Sequence, residues 1–396
     1  MYQLAVIGGG ASGLCAAIAA KRKNPNTDII ILEALPRVGK KILATGNGRC
    51  NLTNLHASVS DYNTDFVSDV FQKFPPQKVI GFFNSIGLLT TADGEGRVYP
   101  LSNTAASVLD CLRFEAENKG VEMRCDFHAD TIINKDNAFI INNEIRARNV
   151  ILASGGKASP SQGSDGSGYA LLKQLGHSVM PLYAGLVQLT VSENVKALKG
   201  VRVKANAELY CDGKRVNASK GEVLFTDYGL SGIAIMDLSR KVRNGKYTCV
   251  LDILPTLKEN EIKSFIFNRK KENSALSVEN VLCGILPKKA GQYILKACSI
   301  KADTPVGRLS DAQIKQITEK IKNLAFTVTG NNGFANAQIT VGGAKVNEFD
   351  SRTLESKIVK GLYCVGELLD VDSVCGGYNL QWAWASGLAA GECAVK

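Results

Sequence analysis

The sequence predicts an α/β fold built on a mostly parallel sheet, with a β-type segment and then a helical segment inserted into it. Three observations predict it. A short apolar run at the N-terminus breaks at three glycines and opens an alanine-rich helical stretch. Apolar runs of the same character recur far along the chain, at 149–153 and 361–365, and each breaks at glycine. Between them, from about 188 to 332, the pattern changes to short alternating runs with turn signals and then to helical periodicity.

The elements follow in order. Gln3 to Ile7 is a short apolar strand, and Ala11 to Ala20 is rich in the good helix formers alanine and leucine. Asp28 to Leu32 is β-branched and apolar, as a buried parallel strand should be. The three make a βαβ unit with a right-handed crossover. Asn149 to Ala153 and Gly361 to Val365 add strands to the same sheet, and Gly376 to Lys396 reads as a glycine turn and a helix. The insertion begins with β-type runs to about Leu254, and Asp212-Gly213 within them is a hairpin signal. From Lys258 the pattern is helical. Ile314, Ile317, Ile321 and Leu324 fall on one helical face, and Ser310 with Gln313 makes a capping box at its start. The expected domains are therefore 1–187 with 333–396, an inserted β-barrel-like subdomain at 188–254, and an inserted helical subdomain at 255–332.

Composition narrows the class. The chain has 396 residues, 45% hydrophobic and 21% charged, which is globular and argues against disorder. No apolar stretch reaches the roughly 20 residues of a membrane helix, and the N-terminus has no basic region ahead of its apolar run. A cytoplasmic protein is expected. The eleven cysteines are odd in number, scattered, and without a CxxC pair or zinc spacing. They are expected as reduced, mostly buried thiols, with no metal site. The net charge is +10, of which +6 lies between Pro255 and Ala325. The charges there are spread and little aromatic residue interleaves them, so a solvated helical surface is favoured over a nucleic-acid site.

Chemistry enters at the first turn. Gly8-Gly9-Gly10-Ala11-Ser12-Gly13 satisfies GxGxxG, follows a strand, opens a helix, and has Glu33 twenty residues on at the end of the next strand. Gly8 makes the tight turn, Gly10 lets backbone approach a pyrophosphate, and Gly13 lets the helix pack on the sheet. The helix N-terminus offers unpaired N–H groups and a positive dipole. Glu33 accepts from ribose hydroxyls and repels a 2′-phosphate, which favours FAD or NAD over NADP. Three distant glycine-rich segments, Thr45 to Asn54, Ala153 to Gly168 and Gly366 to Gln381, favour the larger flavin.

The runs KKILATGNGRCNLTN (Lys40 to Asn54), ASGGKASPSQGSDGSGY (Ala153 to Tyr169) and VGELLDVDSVCGGYNLQWAWASG (Val365 to Gly387) resemble the bacterial FAD-binding oxidoreductase family called aminoacetone-oxidase-like. That family includes a flavoprotein reductase of bile-acid dehydroxylation. The resemblance spans nearly the whole chain and implies a Rossmann-type, three-layer ββα FAD-binding domain. It implies that Gly8, Gly10, Ala11, Ser12 and Gly13 hold the pyrophosphate and Glu33 the adenosine ribose. Lys41, with Thr45, Gly46, Gly48, Arg49, Cys50 and Asn51, would line the ribityl chain and flavin. Ala129 would pair with adenine through its main chain, and Ala153, Ser154 and Gly155 would form a second glycine contact. Gly366 and Glu367 stand where related flavoproteins carry Gly-Asp, with Glu367 expected to reach the ribityl chain or phosphate. Gly376, Gly377, Tyr378, Asn379 and Leu380 would set a helix N-terminus at the flavin's pyrimidine end.

Candidates for the chemistry are Tyr378 and Asn379 for substrate orientation or proton relay, Cys375 beside the flavin, and Tyr228 in the inserted GEVLFTDYGLSG. The three histidines are expected to be structural. No second GxGxxG is present, so NAD(P)H, if it is the donor, docks transiently. The reading is an FAD-dependent oxidoreductase on a small organic substrate, by NAD(P)H-dependent reduction of a conjugated carbonyl. The alternatives are a flavin amine oxidase releasing peroxide, and, from another class, an RNA-associated flavoprotein using the basic helical insertion. The expected partner is a small molecule, not nucleic acid or membrane, and the chain is expected as a monomer or homodimer.

Overall fold

The computed structural model describes residues 1–395. They divide into two compact units, one of Met1–Ala184 with Ala337–Lys396 and the other of Gly185–Asn336.

The first unit is organised by a seven-stranded sheet. Its centre is β1 (Tyr2–Ile7), which pairs in parallel with β2 (Ile29–Leu32) on one side and with the strand Ile145–Leu152 on the other. Val6 stands opposite both Ile31 and Ile151 in these ladders. Leu4 to Ile7 and Ile29 to Leu32 are buried without alternation, because both faces of a parallel sheet are covered. Ile145–Leu152 changes partners along its length. Its start pairs antiparallel with Ala138–Ile141, and its end pairs parallel with Leu362–Cys364 as well as with β1. An additional hairpin, Ile132–Lys135 with Ala138–Ile141, turns at Asp136 and Asn137, both at positive φ as a two-residue turn requires. This hairpin lies outside the strands that the sequence predicts.

Helix α1 (Ala11–Lys23) lies under this sheet with Ser12 to Lys21 buried. The C-terminal helix Tyr378–Cys393 crosses it at backbone distance. A Cβ on Gly387 would overlap Ser12 O, and one on Gly391 would overlap Ala16 O. Two glycines one helical turn apart therefore set the closeness of this crossing.

The second unit holds a closed barrel in the strand order Leu189–Val191, Gly229–Ser231, Lys214–Phe225, Arg202–Cys211, Tyr247–Asp252 and Leu324–Asn331. Arg202–Cys211 alternates strictly, with Val203, Ala205, Ala207 and Leu209 inside and Arg202, Lys204 and Asn206 outside. Asp212 and Gly213 form its hairpin turn at positive φ. Ser310 Oγ accepts the Gln313 N–H at 3.2 Å and Gln313 Oε1 accepts the Ser310 N–H at 2.9 Å, completing the capping box of helix Asp311–Lys322.

Two sequence expectations are corrected in this unit. Leu324 is not on the helix with Ile314, Ile317 and Ile321; the helix ends at Lys322 and Leu324 opens the strand that closes the barrel. The β and helical segments also share one apolar core, in which Ile262, Ile294 and Ile317 pack with Leu209, Cys249 and Phe326. The physical reason is that a barrel strand must complete the hydrogen-bonded ring, and Leu324–Asn331 is the segment that pairs with both Tyr247–Asp252 and Leu189–Val191.

No helix among the described residues is long and apolar enough to cross a membrane. The eleven cysteines are free thiols. Among the described residues, no group of three or more His, Cys, Asp or Glu is arranged to hold a metal ion.

Candidate functional site

The site is built where the strand ends of the first unit meet. Gly8 has φ +104°, and a Cβ there would stand 2.5 Å from Ala153 O and 2.9 Å from the Ser154 Cα. The Gly8 turn and the Ala153–Gly168 segment thus touch backbone to backbone, which only glycine permits. A Cβ on Gly13 would overlap Gly8 O, so Gly13 seats α1 against the turn. Gly10 differs: a Cβ on it would meet nothing within 4 Å. It is the N-cap of α1, with no side-chain cap and no acidic residue in the first turn. The helix therefore presents open N–H groups to open space, the arrangement an anionic diphosphate fits.

Glu33 sits at the end of β2 and ties the rim together. Its Oε2 accepts the Gly9 N–H at 2.8 Å and its Oε1 accepts the Leu35 N–H at 2.9 Å. Gly9, a variable position in the motif, is therefore part of the site, and a Cβ on it would press 2.5 Å against Val38. The Phe127 N–H donates to Glu33 O at 2.9 Å, which brings Ala129 and its buried backbone to the same edge.

The loop Thr45 to Asn51 is folded tightly on itself. Gly46, Asn47, Gly48 and Cys50 all have positive φ, and Thr45 Oγ1 donates to Ile42 O at 2.6 Å. Arg49 is exposed, its guanidinium stacked 4.6 Å from the Tyr99 ring centroid. Cys50 is fully buried, and burial pushes its thiol up to about 12. A thiol so held stays protonated and inert.

The C-terminal segment closes the site. Gly366 lies so close to α1 that a Cβ would stand 2.8 Å from Ser12 Oγ. Its N–H donates to Ser386 Oγ at 3.0 Å and its O accepts from Trp382 Nε1 at 3.0 Å. Gly377 is left-handed, and a Cβ on it would be 2.8 Å from Asn51 Oδ1. The Asn51 to Asn54 run straps this helix start in place. Asn54 Nδ2 donates to Gly376 O at 3.2 Å, Thr53 Oγ1 to Gln381 Oε1 at 2.7 Å, and Trp384 Nε1 to Leu52 O at 2.9 Å.

Among the described residues, two buried side-chain polar atoms have no hydrogen-bond partner, Asn51 Oδ1 and Ser154 Oγ. Such groups are costly unless something else satisfies them. Asn51 Oδ1 lies beside Gly377, whereas Ser154 Oγ faces Gly168, where a Cβ would overlap it. An orphan acceptor on Asn51 beside Gly377, with open N–H groups and open space at Gly10, fits a polar cofactor that touches both. FAD matches that chemistry, and the residues Gly8 to Gly13, Glu33, Asn51 and Gly377, with the Ser154 backbone beside Gly8, would hold it.

Other candidates have different placements. The Asn379 side chain is spent on the preceding loop: Oδ1 accepts the Ser373 N–H at 2.9 Å, and Nδ2 donates to Ser373 O at 2.9 Å and Val374 O at 3.2 Å. It fixes the loop carrying Cys375. Tyr378 O accepts from Tyr62 OH at 2.8 Å, and Leu380 is partly buried on the same helix. Lys41 and Glu367 are joined to each other at 2.7 Å. Tyr228 belongs to the second unit, where it is 41% exposed on the turn before Gly229–Ser231. His177 is buried, stacked 4.6 Å from Phe349, and bonded to Glu348 Oε2 at 3.0 Å and Ser356 Oγ at 2.9 Å. Sequence reasoning missed Gly9, Thr53, Asn54, Thr340 and Gln381. The four polar side chains among them, Thr53, Asn54, Thr340 and Gln381, bond to groups far away in sequence, which leaves no local pattern.

Comparison with known proteins agrees with this geometry. The model of the HI0933-like protein Rossmann domain matches residues 2–393. A 3-dehydro-bile acid delta(4,6)-reductase of Clostridium scindens is 39% identical over 408 aligned residues, covering all of both chains. A ribosomal RNA dihydrouridine synthase of Escherichia coli is 28% identical, covering 99% of this chain and 97% of its own. Among solved structures, the 3-ketosteroid delta1-dehydrogenase of Sterolibacterium denitrificans superposes with a TM-score of 0.52 at 12% identity, over all of this chain and 99% of its own. At that identity the likeness concerns the fold.

Proposed function

The chain belongs to the HI0933-like Rossmann family and is an FAD-dependent oxidoreductase, and we propose that it saturates a carbon–carbon double bond conjugated to a carbonyl, with NAD(P)H as the electron donor. One observation carries the reading. Two full-length relatives bear the names of reductions, one of a bile-acid Δ4,6 system and one of a uridine ring. The chemistry common to both is addition across a C=C bond polarised by a neighbouring carbonyl. FAD supplies the two-electron transfer when bound.

The chain's own residues do the positioning. The α1 N-terminus and Gly8 to Gly13 bind the diphosphate, and Asn51 Oδ1 meets a polar group of the cofactor that water cannot reach. The Gly376–Gly377 turn sets the N-terminus of the last helix toward developing negative charge. Asn379 orients the 373–375 loop and is a positioning residue. Tyr378, next to that turn, is the proposed proton donor to the substrate carbon. No second dinucleotide fingerprint occurs in the sequence, which supports a nicotinamide donor that visits and leaves. The test is anaerobic mixing of the FAD-loaded protein with NADH or NADPH. Rapid loss of the flavin absorbance, restored by an α,β-unsaturated ketone, is the expected result. No loss with either nucleotide, and loss with a primary amine or aminoketone, returns the reading to an amine oxidase.

A second reading is favoured by one feature. The unit Gly185–Asn336 carries 24 Lys and Arg against 14 Asp and Glu, while the other unit carries 23 of each. The whole +10 of the chain thus lies in the barrel and helix unit. A small anionic acid needs one or two cations, whereas a polyphosphate backbone uses a field of this size. This supports an RNA substrate of the kind the Escherichia coli relative's name states. Salt-dependent retention of an rRNA fragment, weakened by lysine-to-glutamate changes in this unit, is its expected signature. No binding at low ionic strength removes it.

A further inference from the structure

We propose that Glu367 and Lys41 have a role other than ligand to the cofactor's sugar chain: they form a clasp that holds four segments of the first unit in register, and FAD affinity depends on it. Glu367 stands where the wider flavoprotein class carries an aspartate, one methylene shorter. The longer side chain turns inward. Its Oε2 accepts from Lys41 Nζ at 2.7 Å and its Oε1 accepts the Thr340 N–H at 2.8 Å, so the carboxylate bridges two other segments of the chain. Thr340 continues the network, its Oγ1 accepting the Lys157 N–H at 2.7 Å and the Ala158 N–H at 3.0 Å. Lys41 Nζ also donates to Ala158 O at 3.1 Å and lies 3.5 Å from Ser164 Oγ.

Four segments far apart in sequence meet here: the helix Lys40–Ala44, the glycine loop from 155 to 164, the strand Ile339–Val341 and the turn Gly366–Leu368. Gly156 lies beneath the crossing. A Cβ on it would stand 2.7 Å from Glu367 Oε1 and overlap Thr340 Oγ1, so the clasp is packed on backbone. Each of the first, second and fourth segments leads directly into a part of the candidate site, respectively Thr45 to Asn51, Ser154 and Gly155, and Gly366 against Ser12. The side chains of Lys41 and Glu367 are 26% and 21% exposed. Solvent screens the pair, and its effect comes from the shared network as much as from charge.

The inference rests on FAD binding and not on which substrate is reduced. It is tested by titrating FAD into full-length apoprotein, following flavin fluorescence, for the natural protein, Lys41→Met, Glu367→Gln and the double variant. A clasp predicts that each single change weakens FAD binding roughly tenfold and that the double change is no worse than either. It also predicts that both single changes lower the thermal midpoint of the apoprotein, with no cofactor present, by similar amounts. Lys41→Arg, which still reaches the carboxylate, restores both. If the two factors multiply in the double variant, or if the apoprotein midpoint is unmoved, Glu367 is a direct ligand and the proposal is overturned. Unchanged affinity in both single variants overturns it as well. Failure of the natural protein to bind FAD at all is a separate result, and it removes the flavoprotein reading itself.

Discussion

Gly10 and Gly13 stand three residues apart on one turn and answer to different demands. A methyl group on Gly13 runs into Gly8 O, whereas one on Gly10 meets no protein atom. Gly13→Ala is therefore expected to cost roughly 3 kcal/mol of folding stability, since a backbone oxygen cannot step aside. Gly10→Ala is expected to leave the apoprotein's thermal midpoint unchanged and to weaken FAD binding by about tenfold or more, about 1.4 kcal/mol. Thermal unfolding and FAD titration of the two variants separate these outcomes, and equal behaviour of the pair refutes the assignment of Gly10 to the ligand. Cys50 gives a second residue-scale prediction. Its thiol, pushed up to about 12 by burial, is expected to resist maleimide at pH 8 while the exposed Cys283 reacts. Mass mapping of labelled peptides checks it. Both glycine roles follow from a motif read in the sequence. Gly9 does not, because its contact is with Glu33 and Val38, brought up by the next strand.

Packing between elements places the site, and here glycine spacing matters again. Gly387 and Gly391 bring the C-terminal helix onto the α1 carbonyls of Ser12 and Ala16. A Gly391→Leu change forces the helices apart and is expected to shift the α1 N-terminus, with loss of bound FAD and a stability cost on the order of 3 kcal/mol. Retained FAD absorbance in that variant sinks the idea that this crossing sets the diphosphate site. A second element-scale device joins the segments 177–178, 346–348 and 356–359. Ser356 Oγ accepts N–H groups from Ile358 and Val359 and is paired with His177, which is paired in turn with Glu348. Burial holds His177 below its ordinary value of 6.5, against the pull of Glu348. Burial alone would raise Glu348, yet the Ser178 N–H and then His177 hold it below the usual carboxylate range. The histidine's contribution to stability is complete above about pH 6.5. It is lost as pH falls below that, because the unfolded chain takes the proton first. The Glu348 contribution is lost in the same direction, lower down. Urea unfolding from pH 7.5 to 5 is expected to show falling stability, with a flatter slope in His177→Gln. An equal slope in the variant assigns the dependence elsewhere.

At the scale of the whole molecule the charge partition is the feature that discriminates. All of the net charge lies in Gly185–Asn336 and none in the nucleotide-binding unit, so under the RNA-substrate reading changing lysines of the barrel unit alters RNA retention and leaves FAD affinity untouched, whereas under the small-molecule reading it changes neither. The sequence by itself determined the βαβ entry, the glycine fingerprint, the hairpin at Asp212-Gly213 and the capping box at Ser310, because each is a short-range demand of backbone geometry on residue type. It also carried the long motifs by which the family is known. Only the tertiary structure decided that Leu324–Asn331 closes the barrel, that Glu367 turns to Lys41 and Thr340, and that Asn51 Oδ1 and Ser154 Oγ are left without partners. Those outcomes depend on which distant backbone groups arrive beside a side chain. Carboxylates, amides and hydroxyls bond any donor or acceptor of the right shape, so residue type alone does not name the partner until the strands and helices have packed.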